Sequence, residues 1–216
     1  MKQAIAMGVV GLGLCAAPPL AAQEAGPEVW AGYALTSEYM SYGRSNSDGH
    51  PALQGYAYVF SDGFYAGAWG STLDMGNGDD LEVDLTLGYR SAFDFGLRYD
   101  LGYAHYFYNA SGECCGEAFV KLAMPVSEGI SLRGATLYDP EGDRFNSNLG
   151  FDAQLNDRFA LSGTVGEKQA SHSYGDIGIS YSLNEVTSLD LRYHEASDSD
   201  GRVAVGFSQN FNLGRF

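Results

Sequence analysis

Short segments in which apolar and polar residues alternate dominate the sequence. The clearest covers residues 81–90, where four aliphatic residues and Tyr89 take every second position, with Glu82, Asp84, Thr86 and Arg90 among the others. Because side chains of a β-strand point alternately to its two faces, such a segment predicts a strand with one apolar and one polar face. Glycine, proline, asparagine, aspartate and serine bound the segments, as is typical of turns.

About twelve segments of this kind follow one another along the chain. The predicted strands cover residues 29–42, 52–60, 64–73, 81–90, 95–108, 117–124, 130–138, 145–155, 159–166, 174–183, 187–195 and 202–216. Twelve strands of about ten residues would fill about 60% of the mature chain, a share that is high for a soluble domain and ordinary for a transmembrane barrel.

The connections between the predicted strands also alternate, since long polar loops follow the odd-numbered strands and short turns follow the even-numbered ones. In an antiparallel barrel the loops then share one rim and the turns the other, as in bacterial outer-membrane barrels whose termini are periplasmic. The fold class predicted is all-β, an antiparallel up-and-down transmembrane β-barrel of about 12 strands.

Aromatic residues gather near the predicted strand ends and predict two girdles at the level of the lipid headgroups. Those near the long-loop rim are Tyr39, Tyr42, Phe107, Tyr108, Tyr138, Phe145 and Tyr174. Those near the turn rim are Trp30, Phe60, Phe64, Phe93, Phe95, Phe159, Phe211 and Phe216.

The N-terminus has the pattern of a secretory signal. Lys2 precedes an apolar run over residues 4–14, and small residues precede Gln23. The run is too short to cross a bilayer, so residues 1–22 are expected to be a cleaved signal peptide and residues 23–216 the barrel domain. Cys15 suggests a lipoprotein as an alternative, but Leu14 stands where a lipid-attachment site has a small residue.

The formal net charge of -15 does not fit a nucleic-acid-binding protein. Much of the acidic surplus lies in predicted loops of one rim, where it would attract cations to the mouth and give mild cation preference. The acidic loop residues are Asp79, Asp80, Asp139, Glu141, Asp143, Asp198 and Asp200.

If the apolar strand faces contact lipid, the opposite faces line the lumen. The candidates for pore-lining residues are Glu38, Glu82, Asp84, Arg90, Arg98, Asp100, Glu117, Lys121, Arg133, Asp152, Asp190, Arg192 and His194. Charges of both signs predict paired ladders, which could either brace the barrel or frame a constriction. Small residues on the same faces indicate some free bore, namely Gly88, Gly102, Ala104, Gly150, Gly178 and Ser180.

Signals for an enzyme, a metal or a cofactor are missing from the sequence. It has no G-x-S-x-G motif and no glycine-rich phosphate loop, and the four histidines lack metal-ligand spacing. Asp190, Arg192 and His194 share a strand face but have no identifiable nucleophile, so a salt-bridge ladder is the preferred interpretation. Cys114 and Cys115 are adjacent in a predicted loop and cannot staple the fold; they are a vicinal disulfide or two free thiols.

The first third of the mature chain resembles the TorF-type porin family of proteobacterial outer-membrane proteins. The matching residues are Leu35-Thr36-Ser37-Glu38-Tyr39, Gly43, Ser45, Ser47, Asp48, Pro51-Ala52-Leu53-Gln54-Gly55, Gly63-Phe64-Tyr65-Ala66-Gly67, Trp69, Ser71, Asp74, Leu81-Glu82-Val83-Asp84 and Gly88-Tyr89. The family usually has a basic residue before the glycine of the first loop, whereas here Tyr42 precedes Gly43 and Arg44 follows it.

The resemblance and the predicted polar lumen imply an outer-membrane porin of a Gram-negative bacterium that lets small hydrophilic solutes or ions diffuse passively. Twelve strands lie between filled eight-stranded barrels and the wide porins of sixteen or more. The expected partners are outer-membrane lipid, the transported solutes and the barrel assembly machinery, which reads an aromatic terminus such as Phe216. Two alternatives stay open: a closed structural or surface-binding outer-membrane barrel, and a soluble periplasmic ligand-binding β-barrel.

Overall fold

The computed structural model describes residues 26–169 and 171–216. The predicted signal peptide, residues 1–22, lies outside this part of the chain. Fourteen strands form within it. They are β1 (Glu28–Thr36), β2 (Met40–Ser41), β3 (Arg44–Ser45), β4 (Ala52–Ser61), β5 (Phe64–Thr72), β6 (Leu81–Ala92), β7 (Arg98–Tyr108), β8 (Gly112–Ser127), β9 (Ile130–Asp139), β10 (Arg144–Gln154), β11 (Phe159–Lys168), β12 (His172–Ser182), β13 (Thr187–Ala196) and β14 (Ser199–Arg215).

Twelve of these strands close into one antiparallel barrel, which confirms the predicted fold class. Each strand pairs with its neighbours in sequence, and β1 closes the ring by pairing with both β4 and β14. Ala31, for example, lies opposite Ala57 on one side and Phe211 on the other. Closure leaves no free strand edge in the barrel. β2 and β3 form a separate hairpin inside the first connection.

The outer surface of the barrel is apolar along its middle. Leu87, Leu149, Val165 and Val203 are between 59% and 68% exposed, and aliphatic residues of the other strands extend the band around the barrel. Apolar area costs about 25 cal/mol per Å² in water, so a continuous band of this kind is stable only against lipid. The inner surface is polar, as in transmembrane barrels.

The aromatic girdles are present, but the prediction is wrong for six of their members. The rings of Trp30, Tyr39, Tyr42, Phe60, Tyr108 and Tyr174 lie inside the barrel, because strand parity or the first loop turns them inward and most contact polar groups there. The remaining rings occupy outward-facing strand positions or lie at the rims. Those at the loop end are Phe107, Tyr138 and Phe145, and those at the turn end are Phe64, Phe93, Phe95, Phe159, Phe211 and Phe216.

The rim opposite the termini carries two long connections, residues 37–51 (the first loop) and residues 73–80 (the second loop). The other four predicted long loops are wrong, since the strands continue almost to the turns and leave connections of four residues or fewer. β8 begins at Gly112 opposite Tyr108, so Cys114 and Cys115 lie in a bulged strand and not in a loop. These two cysteines form a vicinal disulfide.

Candidate channel lumen

The structure places all thirteen predicted pore-lining residues on the inner side of the barrel. Twelve of them occupy inward positions of the strands, and Glu38 turns inward at the start of the first loop, where Arg202 contacts it at 2.6 Å. They do not form one cluster. Two walls of different chemistry result, one on β11–β14 and one on β5–β8.

The β11–β14 wall contains a compensated charge network centred on Arg192. Its guanidinium forms an ion pair with Asp176, and its Nε lies 3.2 Å from Asp190. Ser162 accepts a further hydrogen bond from Arg192 at 2.8 Å, and Ser180 donates to Asp190 at 2.7 Å. This is the salt-bridge ladder expected from the sequence, with Asp176 as a member that the sequence interpretation did not include.

Tyrosines hold the carboxylates of the β5–β8 wall. Glu82 accepts hydrogen bonds from the hydroxyls of Tyr39 and Tyr108 at 3.0 and 2.9 Å. Glu117 accepts one from Tyr106 at 2.7 Å. A phenol is a neutral donor, so these carboxylates are held without the counter-charge that Arg192 supplies on the other wall.

Glycines of the lumen are sockets for larger neighbours, which corrects, for Gly88, Gly102 and Gly178, the prediction that small residues leave a free bore. A Cβ atom on Gly88 would lie 2.6 Å from the Tyr65 ring, and one on Gly178 would lie 2.6 Å from the Arg192 guanidinium carbon. Gly102 likewise faces the ring of Phe119. The space that glycine provides is therefore occupied by side chains from adjacent strands.

The first loop folds inward and crosses the mouth of the barrel. Tyr39 contacts Trp69 at 5.6 Å between ring centroids and reaches Glu82 on β6. Tyr42 packs on Tyr174 of β12 at 5.2 Å. β6 and β12 are six strands apart in either direction around the ring, so the loop spans the full diameter. Met40, between the two tyrosines, is only 1% exposed.

Polar contacts fix the far end of the first loop. His172 Nε2 donates to the Tyr42 carbonyl at 2.8 Å, and the Ser199 hydroxyl donates to the Gly43 carbonyl at 3.0 Å. Arg44 forms an ion pair with Asp198, and this hydrogen bond lowers the pKa of Asp198 to about 2. Burial, together with the nearby charge of Glu117, raises the pKa of Tyr42 well above its ordinary value.

The hairpin turn at this end depends on the backbone of Tyr42 and Gly43, whose φ angles are 50° and 76°. Positive φ at both central residues is typical of the tight two-residue turns that join antiparallel strands. A side chain on Gly43 would clash with the Glu195 carbonyl and the Ala196 methyl group. Glycine therefore lets the tip of the loop lie against β13.

The seven predicted acidic residues share the loop rim, but five of them accept hydrogen bonds or form ion pairs: Asp79, Asp80, Asp139, Asp143 and Asp198. Asp79 accepts hydrogen bonds from the backbone of Ala110 and Ser111 at 2.8 Å. These contacts tie the second loop to the β7–β8 turn, and the Ser111 hydroxyl bond lowers the pKa of Asp79. Asp139 pairs with Arg144, and Asp198 with Arg44. Of the seven, Asp80, Glu141, Asp143 and Asp200 are exposed and form no ion pair within the part of the chain that the structure describes.

Across residues 26–169 and 171–216, no group of three or more histidine, cysteine, aspartate or glutamate side chains is arranged to hold a metal ion. The same residues contain no helix long and apolar enough to cross a membrane.

A closed barrel with an apolar exterior, a charged interior and a loop folded across its mouth defines a porin-like β-barrel. The chain belongs to the family described as bacterial protein of unknown function (Gcw_chp), whose model matches residues 21–190. No curated protein matches the sequence.

Solved porin structures share the fold. The KdgM porin superposes with a TM-score of 0.65 at 10% identity, covering 86% of this chain and 99% of that one. The KdgM porin in complex with disordered oligogalacturonate gives 0.64 at 9% identity, with the same coverage. The NanC porin gives 0.55 at 14% identity, covering 87% of this chain and all of that one. At these identities the likeness establishes a common barrel architecture.

Proposed function

We propose that the protein is a non-enzymatic porin of the Gram-negative outer membrane, of the TorF type that the first third of its mature chain resembles, through which small hydrophilic solutes and ions diffuse passively. The observation that carries the proposal is the first loop, anchored on β6 and β12 across a charged lumen. A purely structural barrel needs no loop folded across its mouth. A channel uses such a loop to set the size and charge of its constriction.

We further propose a mild preference for cations. Glu82, Asp84 and Glu117 lie together on one wall, where neutral tyrosine hydroxyls hold Glu82 and Glu117 and Asp84 Oδ1 has no hydrogen-bond partner. Acidic side chains also surround the mouth. Like charge at a narrow opening raises the local concentration of counter-ions. The KdgM structure contains an oligogalacturonate, which is a polyanion, and the wall formed here would repel such a solute.

The test is the conductance of refolded protein in a planar bilayer under a potassium chloride gradient. Discrete current steps with a reversal potential toward the potassium equilibrium value are expected. A reversal potential toward the chloride value would remove the cation preference. If no current is recorded from protein that heat-modifiable migration shows to be folded and inserted, the barrel is a closed structural one. Recovery of native protein in the aqueous fraction without detergent would indicate a soluble ligand-binding barrel.

A further inference from the structure

One wall of the lumen combines carboxylates with aromatic rings in a way that channel architecture alone does not require. This acidic-aromatic wall consists of Trp69, Glu82, Asp84, Tyr106 and Glu117 on β5–β8, with the Tyr39 ring of the first loop above it. All three carboxylate side chains belong to residues that are less than 9% exposed.

Asp84 lies at the centre of the wall with an unused oxygen. Its position pairs with Trp69 on β5 and with Tyr106 on β7, so an indole and a phenol flank it on either side. The residue is 7% exposed, and its Oδ1 has no hydrogen-bond partner. A buried carboxylate oxygen without a donor is costly and is stabilised when a ligand supplies the missing donor.

Its neighbours increase the attraction for a cation. Glu82, two residues before Asp84 on the same strand face, and Glu117 on β8 are both held by tyrosine hydroxyls, which are neutral and supply no counter-charge. On the opposite wall Asp176 and Asp190 instead share the guanidinium of Arg192. The unused carboxylate and the aromatic rings thus occur together on one side of the lumen.

The aromatic rings select the kind of cation. Trp69 and Tyr39 are packed at 5.6 Å with their planes inclined by 59°, beside the carboxylates. Ammonium groups bind the faces of such rings, and tryptophan is the strongest partner. The mouth already contains one contact of this type, with the Lys168 ammonium 4.6 Å from the centre of the Tyr42 ring. The carboxylates are not grouped as a metal site among the residues that the structure describes.

We propose that the acidic-aromatic wall binds the ammonium groups of organic cations, so that alkylamines are preferred solutes of the channel. This inference rests on the proposed function, because it assigns a substrate class to the same lumen. An amine donates to Asp84 Oδ1 while its carbon chain lies against Trp69 and Tyr106, whereas a hydrated metal cation gains only the charge attraction.

The experiment measures block of potassium current by putrescine, with magnesium chloride as an inorganic dication of equal charge. Putrescine is expected to bind at least about tenfold more tightly than magnesium, because only putrescine gains the aromatic contact. Asp84→Asn should weaken putrescine block about tenfold or more, and Trp69→Leu should weaken it several-fold. Glu128→Gln, which removes one charge in an exposed turn at the other rim, should change it less than about twofold.

Equal block by magnesium and putrescine would overturn the proposal, as would equal effects of Asp84→Asn and Glu128→Gln. If the protein carries no current, binding is still measured in detergent by the fluorescence of Trp69 in the Trp30→Phe variant. Saturable quenching by putrescine that Asp84→Asn abolishes would support the binding site while the porin function fails. No quenching in that variant would overturn the binding site itself.

Discussion

The ring of Tyr42 packs on the ring of Tyr174, with centroids 5.2 Å apart, and so joins the tip of the first loop to β12. The other side of the loop is attached to β6 through the Tyr39 hydroxyl. A loop of fifteen residues fixed at both ends of a diameter cannot swing clear of the mouth without breaking one attachment. The width of the opening is therefore set by contacts of individual residues at the loop tip.

Gly43→Val is expected to release the loop tip and raise the single-channel conductance about twofold or more, because a side chain added to a tightly packed site displaces the backbone that carries it. The added side chain has no space between Glu195 and Ala196. Gly76→Val is the matched control, because its φ of 72° is almost that of Gly43 at 76° but no atom lies within 4 Å of its Cβ position. Similar conductance changes in both variants would contradict the role of the clash.

The Arg44–Asp198 pair is expected to persist through mildly acidic conditions. The folded-state pKa of Asp198 is lowered to about 2 from its ordinary value near 3.8, so its contribution is complete above about pH 4 and is lost as the pH falls through about 2. Trypsin cleavage after Arg44, or pepsin cleavage of the loop at low pH, reports release of the loop. Asp198→Asn should allow fast cleavage at neutral pH, whereas equal rates for wild type and variant would show that the pair does not restrain the loop.

Gly102→Ala is expected to destabilise the barrel by about 1–3 kcal/mol, because the methyl group meets the ring of Phe119 and the Leu87 carbonyl. Gly206→Ala is the control on another inward-facing strand position, where the nearest atom, Asp190 Cβ, is 3.8 Å from the site of the added methyl carbon. Urea unfolding of both variants in lipid vesicles measures the difference. Equal stabilities would show that the Gly102 socket is not tightly filled.

The alternation of apolar and polar residues is sufficient to predict the barrel, because successive side chains of a strand point to opposite faces. Whether a side chain points into the lumen or toward lipid therefore depends only on whether its position in the strand is odd or even. Residues 81–90 illustrate this, since the acidic residues of that segment point inward and its leucines face outward as expected. Parity also predicts the position of Asp176. This residue has the same parity as Gly178 and Ser180 on the lumen face of β12, so the sequence is sufficient to place it beside Arg192.

The contents of the lumen depend on contacts that are distant in sequence and could not be predicted in this way. The polar composition of residues 43–50 indicates turns, but their inward fold depends on Tyr174, His172 and Asp198, more than a hundred residues away. The same holds for the glycine sockets. Whether Gly88 leaves a gap depends on the strand register that brings Tyr65 against it.

Cleavage of residues 1–22 remains a prediction from the sequence. Secreted protein isolated from the outer membrane is expected to begin at Gln23, since small residues precede this position after an apolar run. Intact-mass measurement decides the point. A lipidated mass with an N-terminal residue at Cys15 would instead support the lipoprotein alternative.

Arg192→Leu is expected to destabilise the barrel by about 3–5 kcal/mol, because it leaves Asp176 and Asp190 buried without their counter-charge. Adding Asp176→Asn to this variant should recover part of the loss, since the second substitution removes one of the two unpaired charges. Arg158→Leu, at an exposed turn, serves as the control and should cost less than about 1 kcal/mol. Urea unfolding in lipid vesicles measures all three. Additive losses in the double variant would show that the carboxylates do not depend on Arg192, and the β11–β14 wall would then not be the braced side of the lumen.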